Sequence, residues 1–366
     1  MSTSAPPGNL PDPESLTDAF YVYEVEVAGD SVRYYGEPLD TKEYVLQRIA
    51  PQFRERGYRV TMNYETGEHV LVATERSTGV DSVPWTNVLL FLATIGTTLF
   101  AGSQWYGIDL SADPLAILGA WPFALSVVGV LAVHELGHYA LSRYHDVEAT
   151  LPYFIPIPNV LGTLGALIRM KDNIPSRRAL FDIGVAGPLA GLAATVVVTA
   201  VGVSLPPVQT TGSALITDLQ LGYPPLVQLI ATALGEPLRY GAGEMVNPVV
   251  IGGWVGAFVT FLNLLPVGQL DGAHVARALV GDYIRQLQRL VPGVLFALAT
   301  YLFLFEDGRA AGLWVIWGVL SVLFLRAGTA TPIDETPVDY GRRAVGALTL
   351  VLGILCFTPM PLVFVG

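Results

Sequence analysis

Residues 121–145 read WPFALSVVGVLAVHELGHYALSRYH, an apolar run that ends in a cluster of ionisable residues. The uncharged part before His134 has the composition of a helix that spans a membrane. His134 and His138 are four positions apart, so on a helix they stand one turn apart on the same face, with Glu135 beside them. The stretch therefore predicts a membrane helix whose end carries two imidazoles and a carboxylate.

The composition of the whole chain is that of a membrane protein. Of its 366 residues, 52% are hydrophobic and 14% are charged, and the mean hydropathy is +0.51. Soluble domains are about a quarter charged. Because roughly 20 apolar residues cross a bilayer as a helix, the apolar segments predict seven crossings, at about 84–106, 114–141, 179–204, 248–266, 291–305, 310–325 and 343–365.

The lysines and arginines predict the orientation, because cytoplasmic loops carry an excess of them. With the N-terminus inside, the inside loops carry 11 of these residues and the outside loops carry 2. Residues 205–247 include the apolar piece PPLVQLIATALG, which is too short to span and is predicted to lie on the surface or to re-enter. We predict a multi-pass protein of the cell membrane with a cytoplasmic N-terminus.

The residues before the first crossing predict a small soluble module. Residues 1–19 lack the basic and apolar regions of a signal peptide and are predicted to be a disordered tail. Within 20–83, an alternating strand (FYVYEVEVA), a helix (DTKEYVLQRIAPQFRERGY) and a hairpin (RVTMNYETGEHVLVATER) predict a cytoplasmic α+β domain. The fold class expected is an all-α polytopic membrane protein, residues 84–366, preceded by this regulatory or docking domain.

The charge balance excludes one class of partner and suggests an environment. The net charge of −11 argues against nucleic acid, which requires a basic patch. Residues 1–83 hold 14 acidic and 7 basic residues, and the chain has only two lysines, Lys42 and Lys171, against 18 arginines. We predict a halophilic archaeal source and expect the chain to stay folded in molar salt. Unfolding at that salt concentration, followed by circular dichroism, would contradict this.

The HELGH motif predicts a metal site. Two histidines at this spacing can share one zinc ion, and Glu135 is then placed to take a proton from a water molecule at the metal. The alternative is that these side chains only bond to neighbouring helices. Charged side chains cost about 2.5–3.5 kcal/mol each at the centre of a membrane helix, and a structural role rarely needs three in one turn. We therefore predict one zinc ion per chain, with Glu135 as general base.

A catalytic zinc ion usually has three protein ligands and one open position. His145 is a poor third ligand because the helix should end near Arg143. Asp271 lies in FLNLLPVGQLDGAHVARAL, where Pro266 should break the preceding helix at the depth of HELGH. Asp271 could instead be only the N-cap of an amphipathic stretch, 272–290. The matching depth favours the ligand, and His274 could help to position the site.

HELGH followed by NLLPVGQLDG resembles the site-2 protease family of intramembrane zinc metalloproteases. The second stretch matches the family's N-x-x-P-x-x-x-x-D-G pattern through Asn263, Pro266, Asp271 and Gly272. The resemblance covers about residues 115–290 and implies a protease that cuts membrane-anchored proteins within or near their transmembrane segments, as in regulated intramembrane proteolysis. It implies three zinc ligands and a catalytic base: His134, His138, Asp271 and Glu135.

Two further stretches resemble parts of this family. GPLAG, residues 187–191, resembles its small-residue motif, although close helix packing explains the sequence equally well. LPYFIPIPNVLGTLGALIRMKDN resembles a loop of the EGY-type branch, as does the acidic N-terminal domain; no PDZ-like or CBS-like domain is evident. Gly162 and Gly165 predict either an ordinary turn or an extended edge that pairs with an unwound substrate. Asn263 could stabilise an oxyanion, bind substrate backbone or bond two helices.

Other classes fit the sequence less well. A membrane-anchored soluble zinc protease would not place HExxH within an apolar run, and the G-x-S-G and G-x-G-D motifs of serine and aspartyl intramembrane proteases are missing. A catalytically inactive or regulatory membrane zinc protein of the same fold stays open as the alternative, although Glu135 is present. The expected partners are a transmembrane protein substrate and the lipid bilayer. The sequence indicates nothing about the oligomeric state.

Overall fold

The computed structural model describes most of the chain, and every structural statement below concerns these residues: 9–65, 67–76, 83–170, 173–209, 219–241, 243–308 and 310–364. The N-terminal part is an antiparallel sheet of four strands in the order β1-β2-β4-β3 with one helix. Its elements are β1 (Phe20–Ala28), β2 (Ser31–Pro38), α1 (Lys42–Arg54), β3 (Tyr58–Glu65) and β4 (Glu68–Glu75).

The helix α1 packs on one face of this sheet through residues four apart. Val45, Ile49 and Phe53 are fully buried, and Phe53 meets the ring of Tyr34 on β2. The predicted tail differs from the structure over residues 9–19, because a short 3₁₀ helix, Pro13–Leu16, folds back and its Leu16 is 1% exposed in the same core. Residues 1–8 lie outside the described part.

Helices dominate the remainder of the described chain, as predicted. Four stretches are long and apolar enough to cross a membrane: Trp85–Trp105, Pro114–Tyr144, Arg177–Ser204 and Asp271–Phe305. The helices are α2 (Trp85–Trp105), α3 (Trp121–Tyr144), α4 (Arg177–Ser204), α5 (Pro225–Leu234), α6 (Val249–Asn263), α7 (Asp271–Val280), α8 (Ile284–Phe305), α9 (Ala311–Ala327) and α10 (Tyr340–Leu355). Since α5, α6, α9 and α10 are shorter than a full span, seven crossings remain a prediction.

Some helix boundaries differ from those predicted. The helix α6 ends at Asn263, three residues before Pro266, and a turn of 264–270 leads into α7. The stretch 272–290 is not one helix, because Gly281 adopts a positive φ of 63° that favours glycine and ends α7. The last helix stops at Leu355, ahead of two prolines, and the chain continues as a short strand.

Close packing of α3, α4 and α6 forms the centre of the helical part. A Cβ atom on Gly137 of α3 would lie 2.6 Å from the carbonyl oxygen of Ala186 on α4. A Cβ atom on Gly253 of α6 would lie 2.0 Å from the hydroxyl of Thr199 on α4. Small residues therefore let these backbones approach closely, and the HELGH end of α3 is held between α4 and the α6–α7 turn.

A β-hairpin lies beside α3 and packs against α2. It consists of β5 (Tyr153–Pro156) and β6 (Thr163–Leu167), paired antiparallel. The indole nitrogen of Trp105 donates to the carbonyl of Val160, at 2.7 Å, and Thr97 donates to that of Gly162, at 2.6 Å. Two small sheets complete the described strands: β7 (Val208–Gln209) with β9 (Glu244–Met245), and β8 (Leu219–Leu221) with β10 (Leu362–Phe364).

Arginines of the N-terminal domain contact the loop that follows α3. Arg54 donates to the carbonyls of His145, at 3.1 Å, and Asp146, at 2.6 Å, and Arg76 bonds the Asp146 carboxylate at 2.8 Å. The hydrogen bond from Arg76 holds the pKa of Asp146 below its ordinary value. The N-terminal domain therefore lies on the side of the molecule where the HELGH helix ends.

Candidate metal centre

Three ligand atoms from distant parts of the sequence converge at the end of α3. The Nε2 atoms of His134 and His138 are 3.3 Å apart, and each lies 3.2 Å from an oxygen of the Asp271 carboxylate. Both histidines are buried, and the Asp271 side chain is 13% exposed. The helix α3 sets the histidines one turn apart, and the start of α7 brings the carboxylate to them.

The donor set and its spacing fit one zinc ion. Zinc in proteins binds imidazole nitrogen and carboxylate oxygen at about 2.0–2.2 Å in tetrahedral geometry. Ligand atoms on such a tetrahedron are separated by roughly 3.3–3.5 Å. The three separations here, 3.2, 3.2 and 3.3 Å, are close to that range. Three protein ligands leave a fourth position open, which is the pattern of catalytic zinc sites.

A backbone carbonyl fixes the orientation of one histidine. The Nδ1 atom of His138 lies 2.7 Å from the carbonyl oxygen of Ile183 on α4, so Nδ1 carries the proton and the Nε2 lone pair faces the other ligands. Sequence reasoning missed Ile183. The nearest signal in the sequence is Pro188, which has no N–H to donate to the carbonyl of Gly184, the residue after Ile183.

Two glycines of the GPLAG stretch make room for the histidine rings. A Cβ atom on Gly187 would lie 2.0 Å from Nε2 of His138, and one on Gly191 would lie 2.8 Å from Nδ1 of His134. The motif therefore does more than allow two helices to pack closely, because its missing side chains leave the space that the metal-binding rings occupy.

We expect Gly187→Ala to weaken zinc binding by about 10- to 100-fold, the range seen when supports of a ligand are lost. The added methyl group would displace the His138 ring. Competition with a chromophoric chelator measures the affinity, and Gly129→Ala on α3, which meets only open space, is the matched control. Equal zinc affinity in the two variants would contradict this role for Gly187.

Asp271 is not placed as an N-cap. The N-cap position of α7 is Leu270, and no side chain caps the helix there. The next residue, Gly272, packs against the end of α6, where a Cβ atom would lie 2.0 Å from the carbonyl oxygen of Leu264. Glycine at this position therefore allows α7 to start close to α6, and its first residue then projects its carboxylate toward the histidines.

Glu135 shares a cavity with the metal ligands. Its side chain is 5% exposed and lines a space of about 160 Å³, together with His138, Asp271 and residues 166–168. The backbone of Ile168, just after β6, faces the Glu135 carboxyl. Asn263 lines the same cavity, with its Nδ2 atom 3.2 Å from Nε2 of His134. The cavity thus joins a buried carboxylate, an amide and the end of a β-strand.

The remaining candidates lie in different surroundings. Gly162 has a φ of 80° and forms a turn against α2, where a Cβ atom would lie 2.4 Å from Cα of Thr98. Gly165 lies within β6, and neither glycine lines the cavity, which is bordered by residues 166–168 instead. His145 bonds Asp182 at 2.9 Å. His274 lines the cavity, and its Nδ1 atom has no partner among the described residues.

The family model of peptidase family M50 matches residues 122–304, which include both histidines, Glu135 and Asp271. The chain belongs to peptidase family M50. This is the site-2 protease family that the two motifs predicted, and the relatives below support its EGY-like branch.

The curated relatives are plant proteins named as probable chloroplastic zinc metalloproteases. EGY1 of Arabidopsis thaliana is 35% identical over 66% of the M50 chain and 43% of its own length. EGY2 of Oryza sativa subsp. indica is 27% identical over 95% of the chain and 65% of its own length. The chain thus spans between two fifths and two thirds of the length of these relatives. No solved structure matches it.

Proposed function

We propose that this M50 chain is a zinc-dependent intramembrane endopeptidase that hydrolyses peptide bonds within or near the transmembrane segments of membrane-anchored proteins. One observation carries the proposal: a three-ligand set that fits zinc opens onto the same cavity as a buried glutamate and the end of a β-strand. Family membership and the names of the relatives support zinc and proteolysis.

Bound zinc would supply Lewis-acid chemistry, since it polarises a carbonyl and lowers the pKa of water. Residues of the chain supply the proton transfer and the hydrogen bond to the carbonyl oxygen. Glu135 takes a proton from the attacking water and passes it to the leaving nitrogen. The Asn263 amide donates a hydrogen bond to the negative charge that develops on the carbonyl oxygen. Both groups line the one cavity, so they can act on the same peptide bond.

A substrate helix must unwind before its carbonyl can be attacked, because its backbone groups are paired within the helix. We propose that the edge of β6 and the residue after it, Ile168, hold the unwound segment by strand pairing. Among the described residues β6 pairs only with β5, so its other edge has backbone groups available, and this edge leads to Glu135. Gly165 lies within this strand, and Gly162 lies in the turn just before it.

We further propose that the active site lies near the cytoplasmic face of a membrane domain with about seven crossings. The HELGH motif ends six residues before the end of α3, which is about 9 Å along the helix. The N-terminal domain packs against the loop that follows, and the predicted inside loops carry most of the arginines. Water needs only a short path to such a site, and products leave into the cytosol.

The direct test uses the full chain in lipid vesicles with a membrane-anchored reporter protein. We expect cleavage within or beside the transmembrane segment, loss of cleavage with a zinc chelator and recovery with added zinc. The inactive or regulatory alternative predicts one bound zinc ion and no cleavage. Membrane proteins that accumulate uncut in cells carrying Glu135→Gln supply natural substrates, and failure of the zinc-loaded chain to cut any of them would refute the proposal.

A further inference from the structure

A second, larger cavity of about 1090 Å³ lies away from the metal centre, where the N-terminal domain meets the starts of α4 and α8 and the end of α9. Six charged side chains line it: Arg177, Arg277, Arg285, Arg289, Asp282 and Glu335. Four positive and two negative groups leave a net charge of +2. Such a surplus stands out in a chain whose net charge is −11, and it makes the cavity attractive to an anion.

The inner wall of this cavity is fixed by buried arginines. Arg277 is 9% exposed, and its guanidinium pairs with Asp282 at 2.5 Å and with Glu335 at 2.6 Å. Arg177 is 11% exposed and donates to the carbonyls of Ala278, at 2.8 Å, and Glu335, at 3.2 Å. Both carboxylates of the cavity are therefore engaged at Arg277, and the inner wall is a rigid surface with its acids already neutralised.

The outer wall holds the positive charge that is not neutralised. Arg285 is 78% exposed, and its nearest acid is Asp282 at 3.8 Å, which Arg277 already binds more closely. Arg289 is exposed and has no hydrogen bond or ion pair among the described residues. The two arginines are four positions apart on α8, so both point to the same side of the helix. They place two guanidinium groups at the mouth of the cavity, Arg285 with one long ion pair and Arg289 with none among the described residues.

An exposed apolar surface begins on α8 at the level of the cavity mouth. On the same helix, Leu287, Leu290 and Val294 are 42%, 63% and 63% exposed, so an apolar surface begins at the level of the two arginines, on the other side of α8. Charged headgroups occupy this boundary in a bilayer, and basic pockets between membrane helices on the cytoplasmic side bind them. Guanidinium groups match the oxygen geometry of a phosphate group.

We propose that this cavity is a binding site for a phosphate-bearing anion, held by Arg285 and Arg289 and supplied by the headgroup of an anionic phospholipid. The bound group would also contact the N-terminal domain, because Thr41 and Gln47 line the same cavity. Arg277 of its inner wall lies on α7, the helix whose first residue is Asp271. The site is separate from the metal centre and does not depend on proteolysis.

Binding of defined probes to the purified full chain tests this site. The probes are short-chain phosphatidylglycerol, phosphatidylcholine with the same acyl chains, and inorganic pyrophosphate, each titrated by calorimetry at one salt concentration. The test variant is Arg285→Gln with Arg289→Gln. The control is Arg48→Gln with Arg326→Gln, which removes the same charge. Arg48 matches Arg285 because it is 62% exposed and 3.8 Å from its acid, Asp18, and neither control residue lines the cavity.

We expect phosphatidylglycerol to bind the wild type and the control alike and to bind the test variant at least tenfold more weakly, since each arginine near the surface contributes to anion binding. Arg285→Lys with Arg289→Lys should restore most of the affinity. The same pattern with pyrophosphate assigns the phosphate site to a soluble anion instead of a lipid. Equal weakening in the control, equal loss with phosphatidylcholine, or no binding of either anion would overturn the proposal.

Discussion

Glu135→Gln should reduce cleavage by about 10²- to 10⁴-fold, the usual contribution of a general base, while zinc stays at one ion per chain. The amide has the shape of the carboxylate but cannot take a proton. Glu135 is 5% exposed and is not one of the three converging ligand atoms, so its replacement removes the base and leaves the zinc ligands in place. Reporter cleavage in vesicles and metal analysis of the same sample measure both quantities.

Glu236→Gln is the matched control for this variant, because Glu236 is an exposed residue just after α5. It should cut the reporter at the wild-type rate. Cleavage by Glu135→Gln within tenfold of the wild type would show that another group is the base. Loss of zinc from Glu135→Gln would show that the glutamate supports the metal site, and the assignment of a purely catalytic role would be wrong.

The convergence of His134, His138 and Asp271 could be predicted from the sequence because metal-binding chemistry is tied to side-chain identity, and their role as zinc ligands stays a prediction. HExxH fixes two histidines on one helix face, whatever surrounds that helix. Asp271 was within reach of the same reasoning, because Pro266 and the apolar segment before it placed the carboxylate at a known depth in the membrane. In a membrane protein the apolar segments indicate the depth of each residue in the bilayer, which has no equivalent in a soluble core. Two residues 137 positions apart could therefore be predicted to lie at the same depth.

Backbone contributions to the site could not be predicted in the same way. The carbonyl of Ile183 orients His138, and the backbone of Ile168 faces Glu135, yet every residue has these groups. Which of them faces the site depends on how α4 and β6 pack. Gly162 and Gly165 could be singled out because glycines often mark turns and extended edges. In the structure Gly162 turns against α2, and residues 166–168 border the cavity.

The sequence also did not predict which surface arginines are neutralised by neighbouring acidic residues. The excess of arginines in the inside loops predicted an orientation, but not which of them are neutralised. Arg277 is buried between two acids, whereas Arg285 and Arg289 remain available on the next helix. Gly281 separates the two groups, because its positive φ ends α7 before α8 begins at Ile284. The sequence alone had predicted one amphipathic stretch, 272–290, which contains Arg277, Arg285 and Arg289.

Asp271→Asn should lower the affinity for zinc by more than about 100-fold, beyond the loss caused by removing a support of a ligand. The substitution separates the two roles that the sequence allowed for this residue. Asparagine is as good an N-cap as aspartate, so a capping role predicts no change in zinc binding or in the melting temperature. An amide is a far weaker zinc ligand than a carboxylate, so a ligand role predicts loss of metal from a chain that still folds.

The structure favours the second outcome, because the carboxylate of Asp271 lies 3.2 Å from both histidines and the N-cap position belongs to Leu270. Competition with a chelator gives the zinc affinity, and circular dichroism gives the melting temperature without zinc. Asp109→Asn, in the exposed loop after α2, is the matched control. Full zinc affinity in Asp271→Asn would leave the site with two histidines, and its third ligand would have to be sought elsewhere in the cavity.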